Sequence, residues 1–95
     1  MLNFSFGGAQ IWTVNADGSQ RTVFTTGAND QEPAWSPDGS VLAFSECDYQ
    51  TDVPRCRLAL VNADGSNRRL LVTDGVLNIR PTWSPDGKWI LYEHW

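Results

Sequence analysis

The stretch PAWSPDG, residues 33–39, returns as PTWSPDG at residues 81–87. A second phrase, NADGS, stands at residues 15–19 and again at 62–66. The two shifts are 48 and 47 residues, so one residue is inserted between the motifs in the second copy. A fainter echo joins MLNFSF (1–6) to VLAFSE (41–46) through Leu2/Leu42, Phe4/Phe44 and Ser5/Ser45. Two identical pentamers in the same order and spacing are not a chance event, and the chain is an internal repeat.

Each repeat parses into four short strands. Strand A is Pro33–Ser36, closed by the turn Ser36-Pro37-Asp38-Gly39. Proline fixes φ at the first corner, aspartate caps the turn through its carboxylate, and glycine accepts the left-handed conformation. Strand B is VLAFSE (41–46) and strand C is RLALVN (57–62), closed by NADG with the chemistry of a type I turn and glycine bulge. Strand D is RRLLVT (68–73). Strands B and C are apolar at nearly every position, through Val41, Leu42, Ala43 and Phe44, then Leu58, Ala59, Leu60 and Val61. A sheet with one wet face alternates polar and apolar side chains, so these runs predict a sheet covered on both faces. A helix is the alternative for any short apolar run. Here the runs carry branched side chains and are bounded by Gly or Pro, which favours strands.

Small antiparallel meanders stacked on both faces at this period are the blades of an all-β propeller. The pattern P-x-W-S-P-D-G, an apolar strand and then V-N-A-D-G-S resembles the WD-repeat variant of TolB-like propellers. Similar repeats occur in the propeller domains attached to prolyl-oligopeptidase-like peptidases. The signature positions are Trp35, Pro37, Asp38 and Gly39, repeated as Trp83, Pro85, Asp86 and Gly87, together with Asp64 and Gly65. They are specific for the repeat and not for a function.

Counting strands gives B-C-D within residues 1–25, a complete blade at 33–73, and A-B at 81–95, or about two four-stranded blades. Two blades cannot close a ring. The open faces are expected to carry side chains such as Trp12, Trp89, Leu42 or Phe44, each of which gains about 1.5–3 kcal/mol when covered. Either the sequence is part of a longer propeller or several copies close a ring together. The resemblance implies six blades, which makes a trimer the natural assembly. Against that, strand B is written twice, as MLNFSF and WILYEH, and one copy would be redundant.

Composition narrows the function. The formal charge is −4 and the pI about 4.6, and the few basic residues are scattered apart from Arg68–Arg69, so nucleic acid is not an expected partner. No apolar run approaches the length of a membrane-spanning helix, and MLNFSFGGAQ lacks the basic and apolar regions of a signal peptide. There is no G-x-S-x-G elbow and no metal-ligand cluster, and the single histidine is His94. Neither catalysis nor a cofactor is expected.

In a meander, successive connections alternate between two rims. The A–B and C–D turns share one rim and are nearly identical. The B–C and D–A connections share the other and differ between copies, as GGA against CDYQTDVPRC and TGANDQE against TDGVLNIR. Variable loops on a repeated scaffold are where binding resides. Asp48, Tyr49, Asp52 and Arg55 belong to the long B–C loop, while Asp30, Glu32, Asn78 and Arg80 sit on the D–A connections near a central channel. They are the candidate rim-binding residues, with ordinary solvated loop positions as the alternative. Cys47 and Cys56 flank the long loop. They read either as a disulfide stapling it in an oxidising compartment or as two reduced, half-buried thiols. The turn aspartates Asp17, Asp38, Asp64 and Asp86 are read as turn residues rather than ligands, and Trp35 and Trp83 as packing rather than sugar platforms.

The expected function is a non-catalytic interaction scaffold that binds a protein or peptide through the variable rim, in a periplasmic or extracellular setting that the resemblance and the cysteine pair favour. The alternatives are the accessory propeller of a prolyl-oligopeptidase-like hydrolase and a glycan-binding propeller.

Overall fold

The computed structural model of the chain describes residues 8–25, 27, 29–49 and 53–95. Among these, every regular element is a strand: β1 (Trp12–Thr13), β2 (Thr22–Val23), β3 (Asp30–Trp35), β4 (Val41–Asp48), β5 (Arg55–Asn62), β6 (Arg69–Val72), β7 (Asn78–Trp83) and β8 (Ile90–His94). The fold is all-β and built of antiparallel, blade-like sheets. A four-stranded sheet runs β3-β4-β5-β6, flanked by the two-stranded sheets β1-β2 and β7-β8.

The continuous apolar runs are explained by what covers each side of the middle sheet. β4 and β5 keep an unbroken register from Val41↔Asn62 to Asp48↔Arg55, and successive side chains alternate between the two faces. On one face Leu42, Phe44, Ala59 and Val61 are buried with Ile11, and Phe24 packs against them. On the other face Ala43, Leu58 and Leu60 are buried, and β7 packs across β3, β4 and β5. Leu42 and Phe44 therefore line the interior between blades and are not at an open end. Trp12 and Trp89 are exposed.

The first inner strand begins at Asp30, three residues before the expected Pro33, and Ser36 belongs to the turn. The reason is a bulge. Register shifts between Gln31 and Ala34, and again between Ile79 and Thr82 in β7. Pro33 and Pro81 fall inside these interruptions, where a missing N–H costs no ladder bond. The preceding residues, Glu32 and Arg80, are left-handed at φ 57° and 55°.

Other boundaries also moved. β4 and β5 extend to Asp48 and Arg55, so these two residues are strand positions rather than loop positions. The runs 9–14 and 20–25 contribute only two paired residues each, with further bonds from the Phe24 and Thr25 N–H groups to the Ile11 carbonyl. The first strand expected at 2–6 lies outside the described residues.

Candidate functional site

The rim of repeated turns is closed on itself. One Asp38 carboxylate oxygen accepts the Ser36 hydroxyl at 2.7 Å and the Ser40 hydroxyl and N–H at 2.7 and 3.0 Å. The Ser40 hydroxyl leads in holding the Asp38 pKa down at about 2. Asp17 and Asp64 accept the hydroxyl and N–H of Ser19 and Ser66, and Asp86 accepts the Ser84 hydroxyl and the Lys88 N–H. All three are lowered by those bonds, the serine hydroxyl first in each case. Gly18, Gly39, Gly65 and Gly87 carry positive φ after these aspartates. An open cleft of about 460 Å³ separates the turns of Pro37-Asp38 and Pro85-Asp86.

The opposite rim has a rigid base. Cys47 and Cys56 pair in register and form a disulfide. Their N–H groups turn away from each other, to the carbonyls of Asn29 and Val76. The D–A segments are thereby tied to the base of the B–C hairpin. Tyr49 Oη and the Gln31 side-chain amide lie 3.0 Å apart, and that amide also donates to Asn29 Oδ1 at 2.8 Å. Tyr49, Val53 and Val76 are nonetheless exposed, at 51%, 51% and 39%. Asp48 and Arg55 face each other across the hairpin, and Asp52 lies outside the described residues.

Two of the candidate rim residues are interior instead. Asp30 and Asn78, at equivalent places in the repeat, open β3 and β7 and are buried. Asp30 accepts the Gly27 N–H at 3.1 Å and a two-pronged Arg68 contact at 2.7 and 3.1 Å. Gly27 packs so closely on this carboxylate that a Cβ there would clash with it. Asn78 donates to the carbonyls of Cys56 and Asp74 and lies 2.7 Å from His94 Nδ1. Buried polar groups persist only with such partners, so both side chains hold the D–A turns in place. Neither is available to a ligand. Glu32 and Arg80 are strand residues too. Glu32 accepts the Arg80 N–H at 2.5 Å, and the Arg80 guanidinium pairs with Glu93 at 2.6 Å.

Arg68 was not among the sequence candidates. It bridges Asp30 to Glu46 at 2.9 Å and lies over the Phe44 ring, 4.7 Å from its centroid. Its pKa is raised, first by the Asp30 bond. The signal was present, since an arginine follows NADGS at the same offset in both copies, as Arg21 and Arg68. Of the signature tryptophans, Trp83 is half-buried and Trp35 is exposed. Trp83 donates its indole N–H to the Ala34 carbonyl at 2.9 Å, and Trp35 meets Phe24 edge to face at 5.8 Å.

The repeated turns and stacked sheets are features shared with known propellers. Part of the chain is similar to TolB. The Tol-Pal system protein TolB of Zymomonas mobilis subsp. mobilis is 42% identical over 38 residues, covering 40% of this chain and 8% of that protein. The Tol-Pal system protein TolB of Rhizorhabdus wittichii is 42% identical over 38 residues, 40% of this chain and 9% of that protein. The matched stretch thus spans under a tenth of these TolB proteins. No family model matches the chain. Among the described residues, no helix is long and apolar enough to cross a membrane, and no group of His, Cys, Asp or Glu is placed to hold a metal ion.

Proposed function

We propose that this chain is a TolB-like propeller segment that serves as a non-catalytic interaction scaffold, holding a protein or peptide partner on the rim of B–C and D–A connections. The observation that carries this reading is the contrast between the rims. On one, each turn aspartate accepts a neighbouring serine hydroxyl and a backbone N–H of its own turn. On the other, Tyr49, Val53 and Val76 stand exposed over a base fixed by the Cys47–Cys56 disulfide. An exposed aromatic on a rigid support is the kind of anchor that dominates protein interfaces, because little side-chain freedom is lost on binding. The disulfide supports an oxidising compartment as the place of work.

The test is selection of a random displayed-peptide library against the whole chain, followed by affinity measurement on rim variants. Binding should fall about tenfold or more in Tyr49→Ser combined with Val76→Ser, as for loss of a hot-spot anchor, and persist in Asp38→Ser on the opposite rim. Peptides indifferent to the first variant and sensitive to the second would reverse the assignment of the rim.

A further inference from the structure

We propose that Asp74–Gly75 is a site of self-modification, at which the folded chain closes a succinimide and reopens it as isoaspartate, while the aspartates of the repeated turns are protected. This rests on the hydrogen bonding of the Asp-Gly pairs and is independent of the rim reading.

Aspartate followed by glycine is chemically labile, because glycine has no side chain to shield its amide nitrogen from the carboxyl group before it. The sequence holds five such pairs, at 17–18, 38–39, 64–65, 74–75 and 86–87. All five aspartates are exposed, so exposure does not separate them. The reaction needs two groups free to meet, the side-chain carboxyl as electrophile and the glycine nitrogen as nucleophile.

In the four repeated turns both groups are engaged. Each carboxylate accepts a serine hydroxyl and a backbone N–H. Each following glycine donates its own N–H to the carbonyl three residues back, of Asn15, Ser36, Asn62 or Ser84, at 2.8 or 2.9 Å. The bonds to the carboxylates also hold them below the usual range, which keeps them in the less electrophilic ionised form. Asp74 and Gly75 lie instead in the bend between β6 and β7. Among the described residues, the Asp74 carboxyl accepts no hydrogen bond and the Gly75 N–H donates none. The Asn78 amide holds the Asp74 main-chain carbonyl at 2.9 Å, and the carboxyl is left to rotate onto the Gly75 nitrogen.

The step is a condensation. The Gly75 nitrogen attacks Cγ of the protonated Asp74 carboxyl and a C–N bond forms. The N–H proton and the carboxyl hydroxyl leave together as water. Water then reopens the five-membered imide. Addition at the main-chain carbonyl breaks its C–N bond and gives isoaspartate, and addition at the side-chain carbonyl restores aspartate. Nothing is oxidised or reduced. The isoaspartyl link lengthens the main chain by one carbon beside the carbonyl that Asn78 anchors, two residues before Val76, whose carbonyl accepts the Cys56 N–H.

The folded chain is aged at neutral pH and physiological temperature, digested in acid, and mapped by mass spectrometry with electron-transfer fragmentation. Isoaspartate should build up at Asp74 about tenfold or more faster than at the other four sites, since each of those must first break its bonds. A succinimide, lighter by one water, should appear in the same peptide. In urea with the disulfide reduced, the five rates should converge. A Cβ at Gly75 would clash with His94 and the Trp95 carbonyl, so the control is placed at Asp74. Asp74→Glu, which can close only a slower six-membered ring, should remove the signal with an unchanged circular dichroism spectrum. Ser66→Ala, which takes one bond from Asp64, should raise the rate there. Equal rates at the five sites of the folded chain overturn the proposal. A preference for Asp74 that persists undiminished in urea also overturns it, because the cause is then the local sequence and not the fold.

Discussion

The Glu32 carboxylate accepts the backbone N–H of Arg80 at 2.5 Å, and the two residues hold the same place in successive repeats. Each lies in a bulge of an inner strand with a left-handed backbone. A non-glycine residue in that region costs about 1–3 kcal/mol. The bulge interrupts the ladder, and the side chain of one repeat takes the N–H that the bulge of the next presents. Adjacent sheets are thus tied at their inner strands by a bond that neither repeat makes alone.

This geometry separates two substitutions at one site. Arg80→Gly keeps the N–H bonded to Glu32 and relieves the left-handed strain, and it loses only the exposed ion pair with Glu93, worth under about 1 kcal/mol. Its stability should match or exceed the parent. Arg80→Val puts a β-branched residue in the same conformation and should lose about 2 kcal/mol. Urea unfolding followed by tryptophan fluorescence measures both.

Arg68 and Glu46 should differ sharply although they touch. The Asp30 side chain has no exposed surface, while that of Glu46 is 29% exposed. Arg68→Ala leaves a buried carboxylate without its cation, which costs about 3 kcal/mol or more. Glu46→Ala leaves the Arg68–Asp30 contact intact and should cost under about 1 kcal/mol. Similar losses from the two variants would mean that Asp30 keeps adequate partners without Arg68.

Reduction tests the staple. The Cys47–Cys56 bridge closes a loop with a separation of nine residues, and loss of such a constraint on the unfolded chain removes about 2–3 kcal/mol. Thermal unfolding in reductant should shift to lower temperature, and the untreated protein should titrate no free thiol. Two titrating thiols with an unchanged midpoint would remove both the staple and the compartment argument.

Acid should weaken the turns in a defined order of sign. Asp38 has its pKa lowered from 3.8 to about 2, and Asp17, Asp64 and Asp86 are lowered as well. A carboxyl with a depressed folded value contributes stability above its unfolded pKa and loses it as pH falls through the folded one. The urea midpoint should therefore hold above about pH 5 and decline between about pH 4 and 2. Asp38→Asn should flatten part of that decline, and an unaltered slope would show that Asp38 contributes none of it.

The legible parts of this protein were those whose cause is local. Asp38 and Gly39 announce their turn because the carboxylate bonds and the left-handed φ arise within a few residues. Leu42 through Phe44 and Leu58 through Val61 announce a doubly covered sheet because burial on both faces leaves no polar position. The candidate site was less legible. Asp30 and Asn78 read as rim residues because they lie on the D–A connections, which share the variable rim. Their burial depends on Arg68, 38 residues away, and on Cys56, 22 residues away. Val53 and Val76 are apolar residues in loops, and no spacing rule marks an exposed valine as a contact.

By itself the sequence determined the repeat, the four-strand parse and the identity of the turns, since each follows from backbone preferences and side-chain alternation over a few neighbours. The tertiary structure alone decided where the inner strands bulge, which charged residues are interior and which faces of the sheets remain uncovered. Those outcomes depend on groups from one repeat meeting groups from the next. Glu32 acquires its role only when the bulge of β7 is placed against it.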